Sequence, residues 1–326
     1  MDMPIKISVC GNQKIPVCGK DGPLTIVNDS LINCLKTIDL FEIVSSNHLK
    51  QSDIIYWIGC RGPSIKKHVL LWIKKNPIII NHWIGTDVLG EMQRNQEKGF
   101  GRIENFFMDC LLWWKMKRGG LIYLAVAPWL VDELSKLHIH ATCLPITTMD
   151  IHNLGPVDIQ QGKDIDFLSY IPFRRFDFYG GDKIVKLAKR WKNYQFLIIC
   201  ADLSEIPRDF VGQMPNNILI SPKVEKEKMS EFYQRSKFFI RYTQHDGLSL
   251  SVLEALYFNL EVLWTYDFPY THKIETLEEL SDSIPSLVKN WHPNERGHAF
   301  VIENYSIEKW KADFLEILQK SNILLK

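Results

Sequence analysis

Paired cysteines, charge of one sign and long apolar runs are all missing from this sequence. Its seven cysteines, at positions 10, 18, 34, 60, 110, 143 and 200, include no CxxC pair and are odd in number. That argues against a disulfide framework and suits buried thiols in a reducing cytosol. Lys plus Arg total 39 against 38 Asp plus Glu, a net charge of +1, so no global electrostatic case exists for a nucleic-acid partner. The longest apolar stretch, Leu121 to Val131, has 11 residues and contains Pro128, which is too short to cross a bilayer. No basic segment followed by a long apolar one opens the chain, so no signal peptide is expected. HExxH and GxSxG patterns, internal repeats and low-complexity tracts are absent too. A cytoplasmic protein is expected, soluble or at most peripheral to the inner face of the membrane.

What is present is the pattern of an α/β protein. The 326 residues, 46% hydrophobic and 24% charged, fit two folded domains at roughly 150 residues each. Short β-branched and aromatic runs alternate with amphipathic stretches, as parallel strands joined by crossover helices do. Strands are predicted at 5–10, 41–45, 54–59, 78–82, 121–127 and 141–145, with helices at 24–38, 64–75, 87–96, 103–117 and 129–137. The pattern restarts with strands at 165–171, 196–201, 218–221, 238–243 and 260–265, separated by helices near 183–191, 226–236 and 252–258. Residues 148–163, rich in Asp, Asn, Gly, Gln and Pro, mark the break. The expected domains are 1–150 and 160–305, doubly wound and Rossmann-like, facing a cleft. A final amphipathic helix, 306–326, packs across them.

Ligands of open parallel sheets bind outside the carboxyl ends of the strands, so chemistry is sought in the loops that follow strands. The richest such segment is RYTQHDGLSLSVLEAL, Arg241 to Leu256. An apolar strand ends in a polar loop, Gly247 permits close backbone approach, and a helix opens among serines with its N–H groups directed at the loop, an arrangement that binds anions. Asp246 and Glu254 stand eight positions apart, so both can face one ligand. Two plainer readings compete: Ser251-x-x-Glu254 is also a capping box, and Asp246-Gly247 is also turn chemistry.

This segment resembles the acid-x7-acid signature of retaining, nucleotide-sugar-dependent glycosyltransferases of the GT-B fold (group 1, or family 4). Asp246 stands where the family has Glu, and Ser249 replaces a customary glycine. The resemblance implies that Glu254 binds the ribose hydroxyls of a nucleoside diphosphate sugar and Asp246 those of the transferred sugar. The N–H groups of Gly247, Leu248, Ser249 and Leu250 would then meet the diphosphate. It also implies that no metal or other cofactor is used, so cationic side chains stabilise the leaving group. Candidates lie in FLSYIPFRRFDFYGGDKI, Phe167 to Ile184: Arg174 first, then Arg175, with Lys183 as a substitute. Tyr179-Gly180 replaces the family's Lys-Gly.

In the first half, HWIGTD, residues 82–87, resembles the position of a cleft-facing histidine that contacts the sugar, making His82 a catalytic candidate against an ordinary structural histidine. Thr86 or Asp87 reads as a helix cap. Gly22 is the weak counterpart of a Gly-rich turn after the first strand. Asp164-Ile-Asp166 spells DxD at the mouth of a strand and reads as chance, and Gly99-Phe-Gly101 lacks the strand and third glycine of a dinucleotide site. The aromatic and basic run 106–118 is either helix packing or a peripheral membrane contact presenting a lipid-linked acceptor. The expected activity is sugar transfer to a glycan, lipid-linked or small-molecule hydroxyl. A nucleotide-sugar epimerase and a non-catalytic nucleotide-sugar-binding protein are the alternatives.

Overall fold

The computed structural model describes residues 4–11, 31–44, 51–59, 78–96, 120–146, 154–158, 162–172, 176–200, 203–206, 208, 214–225 and 228–321. The chain divides into two compact units, Met1–Thr148 with Ile307–Lys326, and Met149–Ser306. The last segment thus returns to the first unit.

In unit 1, strands β1 (Ile5–Gly11), β2 (Phe41–Ile43), β3 (Ile54–Ile58), β4 (Ile78–Trp83), β5 (Leu121–Ala125) and β6 (Thr142–Cys143) form a sheet of order β2-β1-β3-β4-β5-β6. Every pairing is parallel. All five residues of β3 are buried, as expected of a strand covered on both faces. Helices α1 (Thr86–Gln96) and α2 (Pro128–Ser135) follow β4 and β5. Pro128 suits the first turn of α2, where its missing N–H has no helical partner to lose.

Unit 2 begins with β7 (Ile165–Ile171), α3 (Gly181–Arg190), β8 (Phe196–Cys200), β9 (Ile218–Pro222) and α4 (Met229–Arg235). It continues through β10 (Ser236–Arg241), α5 (Leu250–Tyr257), β11 (Glu261–Trp264), β12 (Thr271–Lys273), α6 (Leu277–Lys289) and α7 (Glu295–Asn304). The sheet is again wholly parallel, in the order β12-β11-β10-β7-β8-β9. Its centre is aromatic: Phe167 stacks on Phe196 at 4.8 Å and on Phe238 at 5.1 Å between ring centroids. Ile184, Val185, Leu187 and Ala188 of α3 complete that core. The chain moves outward from β7 through β8 to β9, then returns to β10 and moves outward the other way. With right-handed crossovers this reversal winds helices onto both faces.

Helix α8 (Ile307–Lys320) belongs to unit 1. Trp310, Phe314 and Leu318 are buried, and the Phe314 ring lies 6.1 Å from Phe41 and 5.8 Å from Tyr56. The apolar stripe of α8 thus packs on the β2 and β3 side of the first sheet. Among the described residues no helix is long and apolar enough to cross a membrane.

Candidate active site

The strand order of unit 2 reverses between β7 and β10, the kind of place at which open parallel sheets bind ligands. The described parts of the loops after these two strands are locked together. Gly180 caps α3 in the left-handed region, at φ 73°, and a Cβ there would sit 2.3 Å from the Tyr242 carbonyl oxygen. Gly181 would meet the Phe176 ring at 2.5 Å. Only glycine satisfies both the backbone angle and the contact at position 180. The Gln244 N–H donates to the Phe178 carbonyl at 3.1 Å, which ties the β10 loop to the β7 loop.

The side chain at the seam is Arg241, the last residue of β10. Its Nε donates to Asp246 Oδ2 at 2.8 Å and its Nη1 to the Tyr170 carbonyl at 3.2 Å. The guanidinium lies over the Tyr179 ring, 4.4 Å from the centroid. Residue exposures of 6% for Arg241 and 8% for Asp246 make this a buried ion pair. Such a pair persists because its hydrogen bonds offset the loss of hydration. The Asp246 N–H donates to the Tyr266 hydroxyl at 3.1 Å, and Thr243 Oγ1 donates to the His245 carbonyl at 3.0 Å. The loop that carries Asp246 is therefore held through backbone and side chain together.

Helix α5 starts at Leu250 with Ser249 as its cap residue, whose side chain makes no capping hydrogen bond to the first turn. The Ser249 hydroxyl instead meets that of Ser251 at 2.9 Å. The N–H groups of Val252 and Leu253 converge on the Ser249 carbonyl. Those of Leu250 and Ser251 are offered at the positive end of the helix dipole. Because Ser251 already lies inside the helix, Ser251-x-x-Glu254 is not a capping box. Glu254 Oε2 instead accepts the Tyr233 hydroxyl at 3.0 Å. Burial, and then the Glu254 charge, hold Tyr233 well above the ordinary phenol range. Burial raises Tyr170 as well, opposed by Arg241 and reinforced by Glu254. Two carboxylates, a guanidinium and uncapped helix N–H groups thus gather at one strand crossover, a set able to accept from sugar hydroxyls and donate to an anion.

His82 is fully buried in unit 1, with Nδ1 2.7 Å from the Tyr56 hydroxyl. Burial depresses its pKa to about 3, and the nearby Leu144 backbone opposes this by favouring the charged form. Among the described residues its Nε2 has no hydrogen-bond partner. The burial follows from strand alternation: His82 projects toward Tyr56, a residue Phe314 of α8 covers. Asp87 caps in an unusual way from inside α1, accepting the Gly85 N–H at 2.8 Å and the Ile84 N–H at 3.1 Å. Lys183 Nζ bonds Asp182 Oδ2 at 2.8 Å. Arg174, Arg175, Gly22 and the run 106–118 lie outside the described residues. Among the described residues no group of three or more His, Cys, Asp or Glu is arranged to hold a metal ion.

The arrangement defines a class at the level of architecture: two wholly parallel six-stranded α/β units, the architecture of GT-B glycosyltransferases. The sequence matches no protein-family model and no curated protein. Solved structures do match. Sucrose-phosphate synthase from Thermosynechococcus elongatus aligns with TM-score 0.69 at 9% identity, over 97% of this chain and 98% of that one. A glycosyltransferase from Rickettsia africae aligns with TM-score 0.64 at 13% identity, over 98% and 99%. The pneumococcal O-GlcNAc transferase GtfA, solved with UDP and GlcNAc, aligns with TM-score 0.57 at 12% identity, over 84% of this chain. The chain spans 58% of the length of GtfA and 57% of that of TarM.

Proposed function

We propose that the protein is a glycosyltransferase that takes its sugar from a nucleoside diphosphate donor held by unit 2. The observation that carries this reading is the convergence of Asp246, Glu254 and the uncapped start of α5 on the crossover between β7 and β10. The diphosphate lies against the Leu250 and Ser251 N–H groups, where fixed dipoles favour negative charge. Glu254 accepts from ribose hydroxyls and Asp246 from the hydroxyls of the sugar, carboxylates being the stronger acceptors. Solved structures of the same architecture include one holding UDP and GlcNAc, which supports a nucleotide sugar as donor and a glycan as acceptor.

In the transfer, the bond between the anomeric carbon and the phosphate oxygen breaks, and its electron pair leaves with the diphosphate. The acceptor oxygen bonds to the anomeric carbon, and its proton passes to the departing phosphate on the same face. Configuration is retained and no enzymatic nucleophile is required. Charge on the leaving group is met by the helix terminus and by cationic side chains, for which no metal need substitute.

The test is a screen of UDP-, GDP- and ADP-sugars against glycan, lipid-linked and small hydroxyl acceptors, with mass analysis of products. A product heavier than the acceptor by one sugar residue, at one donor, is expected. A changed donor with no acceptor consumed would replace transfer by epimerisation, and binding without any turnover would leave a nucleotide-sugar receptor.

A further inference from the structure

Resting on that reading, we infer that Arg241 is a positioning residue for sugar transfer, which fixes Asp246 toward the donor's sugar. Five observations converge on this role. The strand delivers Arg241 to the carboxyl end of β10, at the crossover. Its Nε is committed to Asp246 Oδ2 and its Nη1 to the Tyr170 carbonyl of the neighbouring strand β7. Its flat face is occupied by Tyr179. Its side chain is only 7% exposed. The carboxylate it holds is pinned a second time, through the Asp246 backbone bond to Tyr266.

Two of the Arg241 N–H donors and one face are engaged by protein, which fixes the position of the guanidinium beside Asp246. What the geometry does accomplish is twofold. The planar guanidinium, held by the Tyr170 carbonyl and the Tyr179 ring, presents Nε to the carboxylate from a fixed direction, which a flexible ammonium does not. It also cancels a buried negative charge beside the place where a doubly charged diphosphate must sit, since like charges in a poorly hydrated site repel strongly. Arg241 therefore makes it feasible for an acid and an anion to share the pocket.

The experiment uses the full chain with the donor found by the screen, measuring transfer kinetics and, by calorimetry, affinity for the free nucleoside diphosphate. Arg241→Lys keeps the charge and loses the fork and the stacking. It is expected to lower kcat by ~10- to 100-fold, with nucleoside diphosphate affinity held within about threefold. Adding Arg241→Lys to Asp246→Asn is expected to cause no further loss beyond that of Asp246→Asn, because Arg241 acts through that carboxylate. The neutral pair Arg241→Met with Asp246→Asn removes both charges, so it keeps the fold where Arg241→Met alone strands a buried carboxylate. That pair is expected to bind the nucleoside diphosphate and not transfer. The inference is overturned if Arg241→Lys transfers at the wild-type rate, if its loss adds to that of Asp246→Asn, or if nucleoside diphosphate affinity falls in step with kcat. In each of those outcomes donor binding by the wild type still upholds the functional reading. A wild-type protein that binds no nucleotide sugar overturns both.

Discussion

At the residue scale, Glu254 separates a ligand-binding acid from a structural one. It is the fifth residue of α5, half-buried, and its Oε2 accepts the Tyr233 hydroxyl. A glutamine can accept that hydroxyl equally well, so Glu254→Gln is expected to leave the melting temperature within a degree or two. It removes the charge that strengthens bonds from ribose hydroxyls, and nucleotide affinity should fall by about tenfold, or about 1.4 kcal/mol. Titration calorimetry beside thermal denaturation checks both halves. Unchanged affinity with a large loss of stability would make Glu254 a support for Tyr233 alone. Arg241 shows the limit of reading single residues from sequence. A charged residue at the end of FFI reads as the place where a strand stops, and nothing local marks it as the partner of an acid five positions on. The acid-x7-acid spacing was visible because it lies within one loop and one helix.

At the element scale, what decided legibility was whether an element's pattern was set by its own residues. Strand β7 reads directly from seven residues, of which Ile165, Phe167, Leu168 and Ile171 are buried hydrophobics, and β8 and β10 carry the same signal. Strand β12, Thr271–Lys273, was missed because a polar edge strand of three residues has no apolar run. Helix α6 was missed because Pro285 inside it looks like a boundary, although Thr276 caps its start by accepting the Glu279 N–H. Helix α7 carries Gly297, which reads as a break. Here the glycine is needed, since a Cβ would lie 2.8 Å from the Leu256 side chain. Strand β4 supplies a pH prediction. His82 titrates near 6.5 when unfolded and near 3 when folded, so between those values the unfolded chain binds the extra proton. Stability is complete above pH 6.5 and declines as pH falls toward 3. From pH 6.5 to 5 the burial of His82 should cost unit 1 ~2 kcal/mol. Denaturant titrations of wild type and His82→Phe at the two pH values test this: the variant should show the shallower acid slope, and parallel slopes would refute the assignment.

At the scale of the whole molecule, the two units differ in how the chain builds them. Unit 2 is one continuous segment, whereas unit 1 joins residues 1–148 to residues 307–326. Helix α8 closes unit 1 by burying Trp310, Phe314 and Leu318 and by a bond from Lys311 Nζ to the Thr37 carbonyl at 2.7 Å. Three large side chains at roughly 1.5–3 kcal/mol each approach the entire stability of a typical domain. Removing residues 307–326 is therefore expected to abolish the cooperative unfolding of unit 1 in calorimetry and to leave a transition for residues 149–306. Loss of both transitions, or of neither, would contradict the division. The same connectivity orders events during synthesis. When residue 306 clears the ribosome, the whole of unit 2 is available to fold, while the amino-terminal sheet still awaits its cover. The half made first is thus finished last, and for that interval Phe41 and Tyr56 present an aromatic face that invites chaperones or wrong partners. Slow translation of the final helix should lengthen that exposure, and mutations in α8 should act on yield before they act on catalysis.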